Sequence, residues 1–298
     1  MSTPVKVVGF VLALVVVFVA ARGVGAATGS VGELPMLTAD HVPGSHGERD
    51  THTEEAASHT AGGPQVSEQG YAMRVLSQPD ADGERPLRFV IDDPTGHVVQ
   101  LYDLVHEKPL HLISAGRDFS GFQHVHPTLS DDGVWSVDLD LSPGTTRLIA
   151  DFTPRQGPAL VLGTDVDVAG DYAPAEPTPV TRVARVDDYR VELAGDLVSG
   201  ESSPLTLSVT RHGGPITDLQ PYLGAYGHLV ALREGDLAYL HVHPEESGPG
   251  PEIPFRAEVP SEGRYRLFLD FRHDGVVRTA EFVVSTGSTD VGESDHEH

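Results

Sequence analysis

The feature that most limits what this chain can fold into is a histidine motif that occurs twice. Each copy has one histidine, then a His-x-His pair that begins 13 residues later, then a proline. The motif histidines are His111, His124 and His126 in the first copy and, 117 positions further along, His228, His241 and His243 in the second. An internal repeat of this kind decides how the rest of the chain is divided.

The similarity between the two copies extends well beyond the histidines. Gly-Thr-Thr-Arg-Leu-Ile-Ala-Asp-Phe at 144–152 aligns with Gly-Arg-Tyr-Arg-Leu-Phe-Leu-Asp-Phe at 263–271. Pro-Leu-Arg-Phe-Val-Ile at 86–91 aligns with Pro-Leu-Thr-Leu-Ser-Val at 204–209. About a hundred residues therefore repeat, which is much longer than a solenoid repeat and has the size of a small domain. The sequence indicates a tandem duplication of a domain.

Short β-type segments separated by turn residues fill both copies. Examples are Leu87–Asp92, Val98–Tyr102 and Leu160–Val168, with turn sequences such as Asp131-Asp132-Gly133 between them. No stretch keeps a helical period. About seven strands in a hundred residues, with a turn every 8–12 residues, are typical of a β-sandwich. The sequence predicts an all-β protein with two tandem immunoglobulin-like β-sandwich domains.

The ends of the chain and the junction between the copies have a different composition. The apolar run 7–21 is long for a signal-peptide core and short for a membrane span, which needs about 20 residues. Either interpretation places the body of the protein outside the cytoplasm, secreted or anchored to the membrane through this segment. The predicted organisation is a signal peptide or membrane anchor at 1–27, a disordered His-containing linker at 28–70, a first sandwich at 71–170, a Pro-rich linker at 171–184, a second sandwich at 185–286 and a disordered acidic tail at 287–298.

Composition excludes several classes of function. Acidic residues outnumber basic ones 44 to 20, giving a formal charge of −24. Such a surface repels nucleic acid and attracts cations. Because the chain has no cysteine, it has no disulfides, no thiolate zinc site and no cysteine nucleophile. The expected partners are a metal ion and, at the cell surface, an unspecified protein.

The hairpins suggest how the histidines are used. With a two-residue turn at Glu234-Gly235, His228 falls opposite His241; the same register places His111 opposite His124. Side chains two apart on a strand share a face, so three imidazoles would converge in each copy. A register different by one residue would send the first histidine to the other face.

The sequence therefore predicts one three-His metal site per domain. Neutral imidazoles suit borderline divalent ions, with copper above zinc in intrinsic affinity. We expect copper, with zinc as the alternative. Water and the His106 side chain are the two candidates for the fourth ligand. The expected function is that of an extracytoplasmic metal-binding protein acting as a buffer, carrier or accessory protein.

The alternative is a non-catalytic structural or protein-interaction module at the cell surface. The histidine-bearing faces also carry apolar residues, including Ile113 and Phe122 in the first copy and Val230 in the second. In such places half-buried histidines can have a purely structural role, in which they hydrogen-bond to carbonyl groups and keep the hairpin in register. Copper–zinc superoxide dismutases and cupins also carry His-x-His on β-scaffolds, but their further ligands are missing here. No nucleophile with a base is found, so we do not expect an enzyme.

The motifs also resemble a known family. Val105-His106-Glu107-Lys108-Pro-Leu-His111 with His124-Val-His126-Pro127, and Pro221-Tyr-Leu-Gly-Ala-Tyr-Gly-His228 with His241-Val-His243-Pro244, are similar to bacterial secreted or membrane-anchored proteins described as heavy-metal-associated. These proteins are similar to YtkA-like immunoglobulin-type domains. The resemblance covers both predicted sandwiches, and it implies a β-sandwich outside the cytoplasmic membrane that takes part in handling copper or another heavy metal.

Overall fold

The computed structural model describes residues 65–79, 86–240 and 242–286. All of them belong to one compact unit, residues 56–298. The predicted N-terminal segment, most of the predicted linker, the acidic tail and His241 lie outside the described residues. Every helix or strand element assigned in this part of the chain is a β-strand, which confirms the all-β fold class there. Within these residues we find no helix with the length and apolar character that a membrane span requires.

The first copy forms two antiparallel sheets. One has the order β1-β2-β3-β8-β7, and the other has the order β10-β9-β5-β6, with β4 paired to β9. The strands are β1 Ser67–Glu68, β2 Tyr71–Ser77, β3 Leu87–Asp92, β4 Tyr102–Asp103, β5 Leu110–Gly116, β6 Gln123–Val125, β7 Thr128–Leu129, β8 Trp135–Val137, β9 Gly144–Pro154 and β10 Leu160–Val168.

The second copy forms two sheets in the same way. Their orders are β11-β12-β13-β18-β17, with β14 paired to β13, and β16-β15-β19-β20. The strands are β11 Val183–Val186, β12 Tyr189–Ala194, β13 Ser202–Arg211, β14 Gly214–Pro215, β15 His228–Arg233, β16 Tyr239–Leu240, β17 Val242–Pro244, β18 Glu252–Glu258, β19 Arg264–His273 and β20 Val276–Ser285.

Both copies have the strand order of an immunoglobulin-type sandwich. In that fold one sheet runs A-B-E-D and the other contains G, F and C. Here β2, β3, β8 and β7 take the places A, B, E and D, while β10, β9 and β5 take G, F and C. Each pair of sheets encloses its own apolar core, around Phe89 and Trp135 in the first and around Phe255 and Phe282 in the second. The prediction of an immunoglobulin-like β-sandwich fold is confirmed for the described residues.

Some local predictions differ from the structure. The strands at Leu87–Asp92 and Leu160–Val168 are confirmed, but Val98–Tyr102 forms only an isolated bridge at Val98 and the start of β4. The strand β1 lies inside the stretch assigned to the disordered linker. A turn at Gln69 and Gly70, both with positive φ, connects β1 to β2. A two-residue turn of this kind matches the twist of a hairpin.

A third apolar cluster joins the two sandwiches. In β5, Leu112 faces its own core, whereas Ile113 faces the other sandwich. In β15, Leu229 likewise faces its own core and Val230 faces the other sandwich. This explains why both strands are buried on both faces. At the centre of the contact the rings of Phe122 and Phe268 stack with their centroids 3.7 Å apart.

Equivalent positions of the two copies make up this contact. The pairs are Ile113 and Val230, Ala115 and Leu232, Ile149 and Phe268, and Phe122 and Tyr239. An interface built from the same patch on both partners is the isologous arrangement of symmetric dimers. The duplicated sandwiches therefore contact each other as the two subunits of a dimer would, inside one chain.

Candidate metal centre

The register of both hairpins differs from the predicted one by two residues. Ile113 pairs with His124, so His111 comes level with His126, and Ala231 pairs with Leu240 in the second copy. The predicted pairing of His111 with His124 is therefore wrong. The loops at the hairpin ends are longer than two residues, and they include Phe119 and Leu237 with positive φ. Because the shift is even, the histidines keep the predicted face.

The two hairpins then separate, because their chains leave the sheet at different points. In the second copy, β16 ends at Leu240, and the next strand pairs with β18 of the opposite sheet, where His243 lies beside Arg256. His243 is exposed there. His126, its counterpart, stays near the first hairpin. Because His241 lies outside the described residues, the three-His site predicted for the second copy stays a prediction.

The structure instead brings histidines of both copies into one group at the contact between the sandwiches. His111, His124 and His228 each offer a ring nitrogen, and these three atoms lie within 4.8 Å of one another. The rings of His111 and His228, which are equivalent residues, are parallel with centroids 5.3 Å apart. We call these three residues the inner set. Two further imidazoles border it, and the histidine cluster comprises His106, His111, His124, His126 and His228.

Hydrogen bonds fix the tautomers of two inner histidines. Nε2 of His111 lies 2.9 Å from the carbonyl oxygen of Val105. Nδ1 of His124 lies 2.8 Å from Oδ2 of Asp270, which belongs to the second sandwich. A carbonyl and an ionised carboxylate can only accept, so both of these ring nitrogens carry the hydrogen. Asp270 is held in turn by Thr279, whose hydroxyl donates to Oδ1 over 2.6 Å.

The remaining nitrogens of these two rings then face each other. Nδ1 of His111 and Nε2 of His124 are 3.0 Å apart. In neutral rings with the tautomers described above, both atoms present a lone pair, and two lone pairs at this distance repel. A metal cation shared between them turns the repulsion into attraction. Nε2 of His126 approaches the same His111 nitrogen at 3.2 Å.

Burial keeps part of the cluster neutral. The pKa of His111 is lowered to about 4, chiefly by burial, with a further contribution from His124 and opposition from the Val105 carbonyl. The pKa of His126 is lowered to about 3 by burial and then by the neighbouring His124, His111 and Lys108. Neutral imidazoles keep their ligand lone pairs free at physiological pH, as metal binding requires.

The ring geometry is close to what a tetrahedral ion needs. Zinc–imidazole bonds are about 2.0–2.1 Å long, so ligand nitrogens around one ion lie about 3.3–3.4 Å apart. The spacings of 3.0 Å and 3.2 Å around His111 are near this value. The limit of 4.8 Å for the inner set means that its rings must rotate slightly to close on one ion. The pattern in which a carboxylate holds a ligand histidine is common around protein-bound metals.

Asp270 is the residue that the sequence analysis missed. It pairs across the sheet with His228, as Asp151 pairs with His111 in the first copy. The two aspartates occupy the same place in the repeated Leu-Ile-Ala-Asp-Phe and Leu-Phe-Leu-Asp-Phe segments, and this was the available signal. Their partners differ, since Asp151 accepts a hydrogen bond of 2.9 Å from the hydroxyl of Tyr239.

The comparisons with known proteins add little about function. Residues 184–288, about a third of the chain, match a family described as Domain of unknown function (DUF8832). This match covers the second sandwich. No curated protein matches the sequence.

Several solved structures are similar in outline. A DUF4426 family protein from Pseudomonas aeruginosa is 11% identical over 35% of this chain and 96% of its own, with a TM-score of 0.27. The Escherichia coli adhesin FdeC is 14% identical over 74% of this chain and 65% of its own, with a TM-score of 0.22. The FN1–FN3 domains of chicken CNTN1 are 13% identical over 76% and 69%, with a TM-score of 0.22. These scores carry no argument, and the fold follows from this chain's own strand order.

Proposed function

We propose that this protein binds one transition-metal ion, copper first and zinc as the alternative, at the contact between its two sandwiches. The ligands are the inner set, His111 Nδ1, His124 Nε2 and a ring nitrogen of His228, with His126 as a fourth. One observation carries the proposal: Nδ1 of His111 and Nε2 of His124 lie 3.0 Å apart, while the other nitrogen of each ring donates to the Val105 carbonyl or to Asp270.

The donor set is consistent with this choice of metal. All the ligands are imidazoles, which suit zinc and copper, and divalent copper binds more tightly than zinc at a given nitrogen site. The second-sandwich carboxylate of Asp270 adds a negative charge next to the ion, which favours a cation in a buried place. The excess of acidic residues over the whole chain attracts cations to the surface.

The proposed role is that of a metal buffer, carrier or accessory protein outside the cytoplasm. The location is supported by the apolar run 7–21, which lies outside the described residues, and by the resemblance to heavy-metal-associated secreted proteins. The proposal is one of binding, because the cluster contains no nucleophile held by a base. A structural role is the second candidate, since the bond from His111 to the Val105 carbonyl ties a loop to β5 without any ion.

A titration with matched variants tests the shared site. The full-length protein, purified without a His-tag, is titrated with Cu(II) and Zn(II) against a competing chelator, and its metal content is measured. We expect one tightly bound ion per chain, bound about a hundredfold more weakly in both His111→Ala and His228→Ala, which come from different sandwiches. Exposed His243→Ala is the control and should bind as the parent does.

Other outcomes would be equally informative. Two tight ions, of which each variant removes one, would restore the separate sites predicted from the sequence and refute the shared centre. Wild-type protein that binds no more tightly than a His111→Ala/His124→Ala double variant would end the metal proposal and leave the structural role.

A further inference from the structure

A strained turn holds one more histidine over the inner set. Val105 and Lys108 close a two-residue turn through hydrogen bonds in both directions, 2.9 and 3.0 Å long. Its central residues, His106 and Glu107, have φ of 46° and 64°. Two consecutive left-handed residues are ordinary for Asn-Gly but costly for other side chains. Strain of this kind persists where the surrounding structure enforces it, often at functional sites.

The second copy has the same turn without the strained pair or the imidazole. Tyr222 and Ala225 close it in the same way, but its central residues are Leu223 and Gly224. Glycine adopts positive φ freely, so this turn carries less strain. Leu223 is buried. The difference shows that the fold does not require a histidine at this place.

The turn of the first copy lies against the cluster. Its Val105 carbonyl is the group that accepts from Nε2 of His111. The ring of His106 stands edge-on to His228 and His111, with centroids 5.2 and 6.1 Å away. His106 is partly exposed, whereas His111 and His228 are buried. An ion that approaches from solvent on the side of this turn would therefore meet His106 before it reaches His111 and His228.

We propose that His106 is the capture ligand of this centre: it binds the incoming metal ion at the surface and passes it to His111, His124 and His228. The inference rests on the proposed metal function. A ligand that coordinates the ion on its way into and out of the inner set speeds both uptake and release, because the ion is never without a ligand between solvent and the site. It changes the equilibrium affinity much less than either rate.

The test uses His106→Asn in the full-length protein, with Cu(II) as the probe. Asparagine accepts left-handed backbone, so the turn is kept while the imidazole is lost. We expect uptake by the metal-free protein and release to a chromophoric chelator to slow together, each by about tenfold. The metal-free variant should melt about 2–4 °C higher, because the turn is relaxed. Glu107→Gly, which copies the glycine of the second turn, should also melt higher but keep both rates.

Each result decides the matter. If His106→Asn takes up and releases Cu(II) as fast as the parent, the capture role is refuted. If its affinity falls through faster release alone, with uptake unchanged, His106 is a resident ligand and the capture role is again refuted. A parent protein that binds no Cu(II) fails the proposed function itself, so the two failures are distinguishable.

Discussion

The hairpins of the two copies carry the same motif and end in different places. Both direct their first histidine, His111 or His228, to the contact between the sandwiches. The first hairpin keeps His126 there, while the second moves its counterpart, His243, to the opposite sheet. The first copy also adds His106, where the second has Leu223. Among the described residues, the duplicated motif has thus produced a histidine cluster drawn from both copies, and sequence symmetry alone does not show this.

Each hairpin also contacts the other sandwich through a different kind of interaction. Phe122 of the first stacks on Phe268 of β19, while Tyr239, its equivalent in the second, donates a hydrogen bond to Asp151 of β9. One contact is apolar and the other is polar. Substitutions that remove each contact separately measure how much each contributes to the docking of the sandwiches.

The largest effect is expected from the apolar contact. Phe268→Ala empties a fully enclosed position against Phe122 and should lower the free energy of unfolding by about 3–5 kcal/mol. Urea unfolding followed by circular dichroism measures it. Val277→Ala, at an exposed site of the neighbouring strand, is the control and should change stability little. An unchanged stability in Phe268→Ala would show that the contact between the sandwiches contributes nothing.

The next effect is a dependence of stability on pH that comes from the first hairpin. His111 has an unfolded pKa of about 6.5 and a folded pKa of about 4. Between these two pH values the unfolded chain binds more protons than the folded chain, so the free energy of unfolding rises with pH. The contribution of His111 reaches its full value above about pH 6.5. Lowering the pH from 7 to 4 should cost about 3 kcal/mol through His111. His126 acts in the same direction, weakened by its partial exposure.

Urea unfolding of the metal-free protein in a chelator, at pH values from 4 to 7.5, measures this dependence. His126→Gln should reduce the slope, whereas His243→Gln, in the second hairpin and exposed, should leave it unaltered. A stability that stays level across this range would mean that the first-hairpin histidines are not buried in neutral form.

The third effect compares the two hairpins as metal ligands. His124→Ala removes an inner ligand and should weaken Cu(II) binding by about a hundredfold, equivalent to about 2.7 kcal/mol. His243→Ala should have no effect on the tight site. Competition titration with a chelator of known affinity measures both. Equal losses in the two variants would mean that the second hairpin contributes as much as the first, contrary to the strand pairing of His243.

The smallest effect concerns the polar contact of the second hairpin. Tyr239→Phe makes this position resemble Phe122 and removes the donor to Asp151, which should cost about 1–2 kcal/mol. Burial and the Asp151 carboxylate raise the pKa of Tyr239 well above its ordinary value, so the hydroxyl keeps its proton at any physiological pH. Thermal unfolding measures the change. Tyr172→Phe, an exposed tyrosine near Asp118, is the matched control; a loss no larger than in this control would show that the bond to Asp151 is dispensable.

The sequence by itself determined the class of fold and the duplication. Strand lengths, turn residues and the alignment of 144–152 with 263–271 are local properties, and they were enough to predict two immunoglobulin-like sandwiches. The face on which the histidines lie was also predictable, because side chains alternate along a strand and the error in register was even. The apolar residues on that face, such as Ile113 and Val230, signalled a buried surface.

Only the tertiary structure decided what covers that surface and which histidines meet. The partner of each hairpin is the other copy, more than a hundred residues away in sequence, and no local pattern encodes a contact at that distance. The position at which the second hairpin leaves one sheet for the other placed His243 beside Arg256 of the opposite sheet. The bond from His124 to Asp270 joins residues 146 positions apart. The proposed ligand set depends on these long-range contacts, because a metal site requires nitrogens a few ångströms apart, and only the docking of the two sandwiches brings His228 that close to His111 and His124.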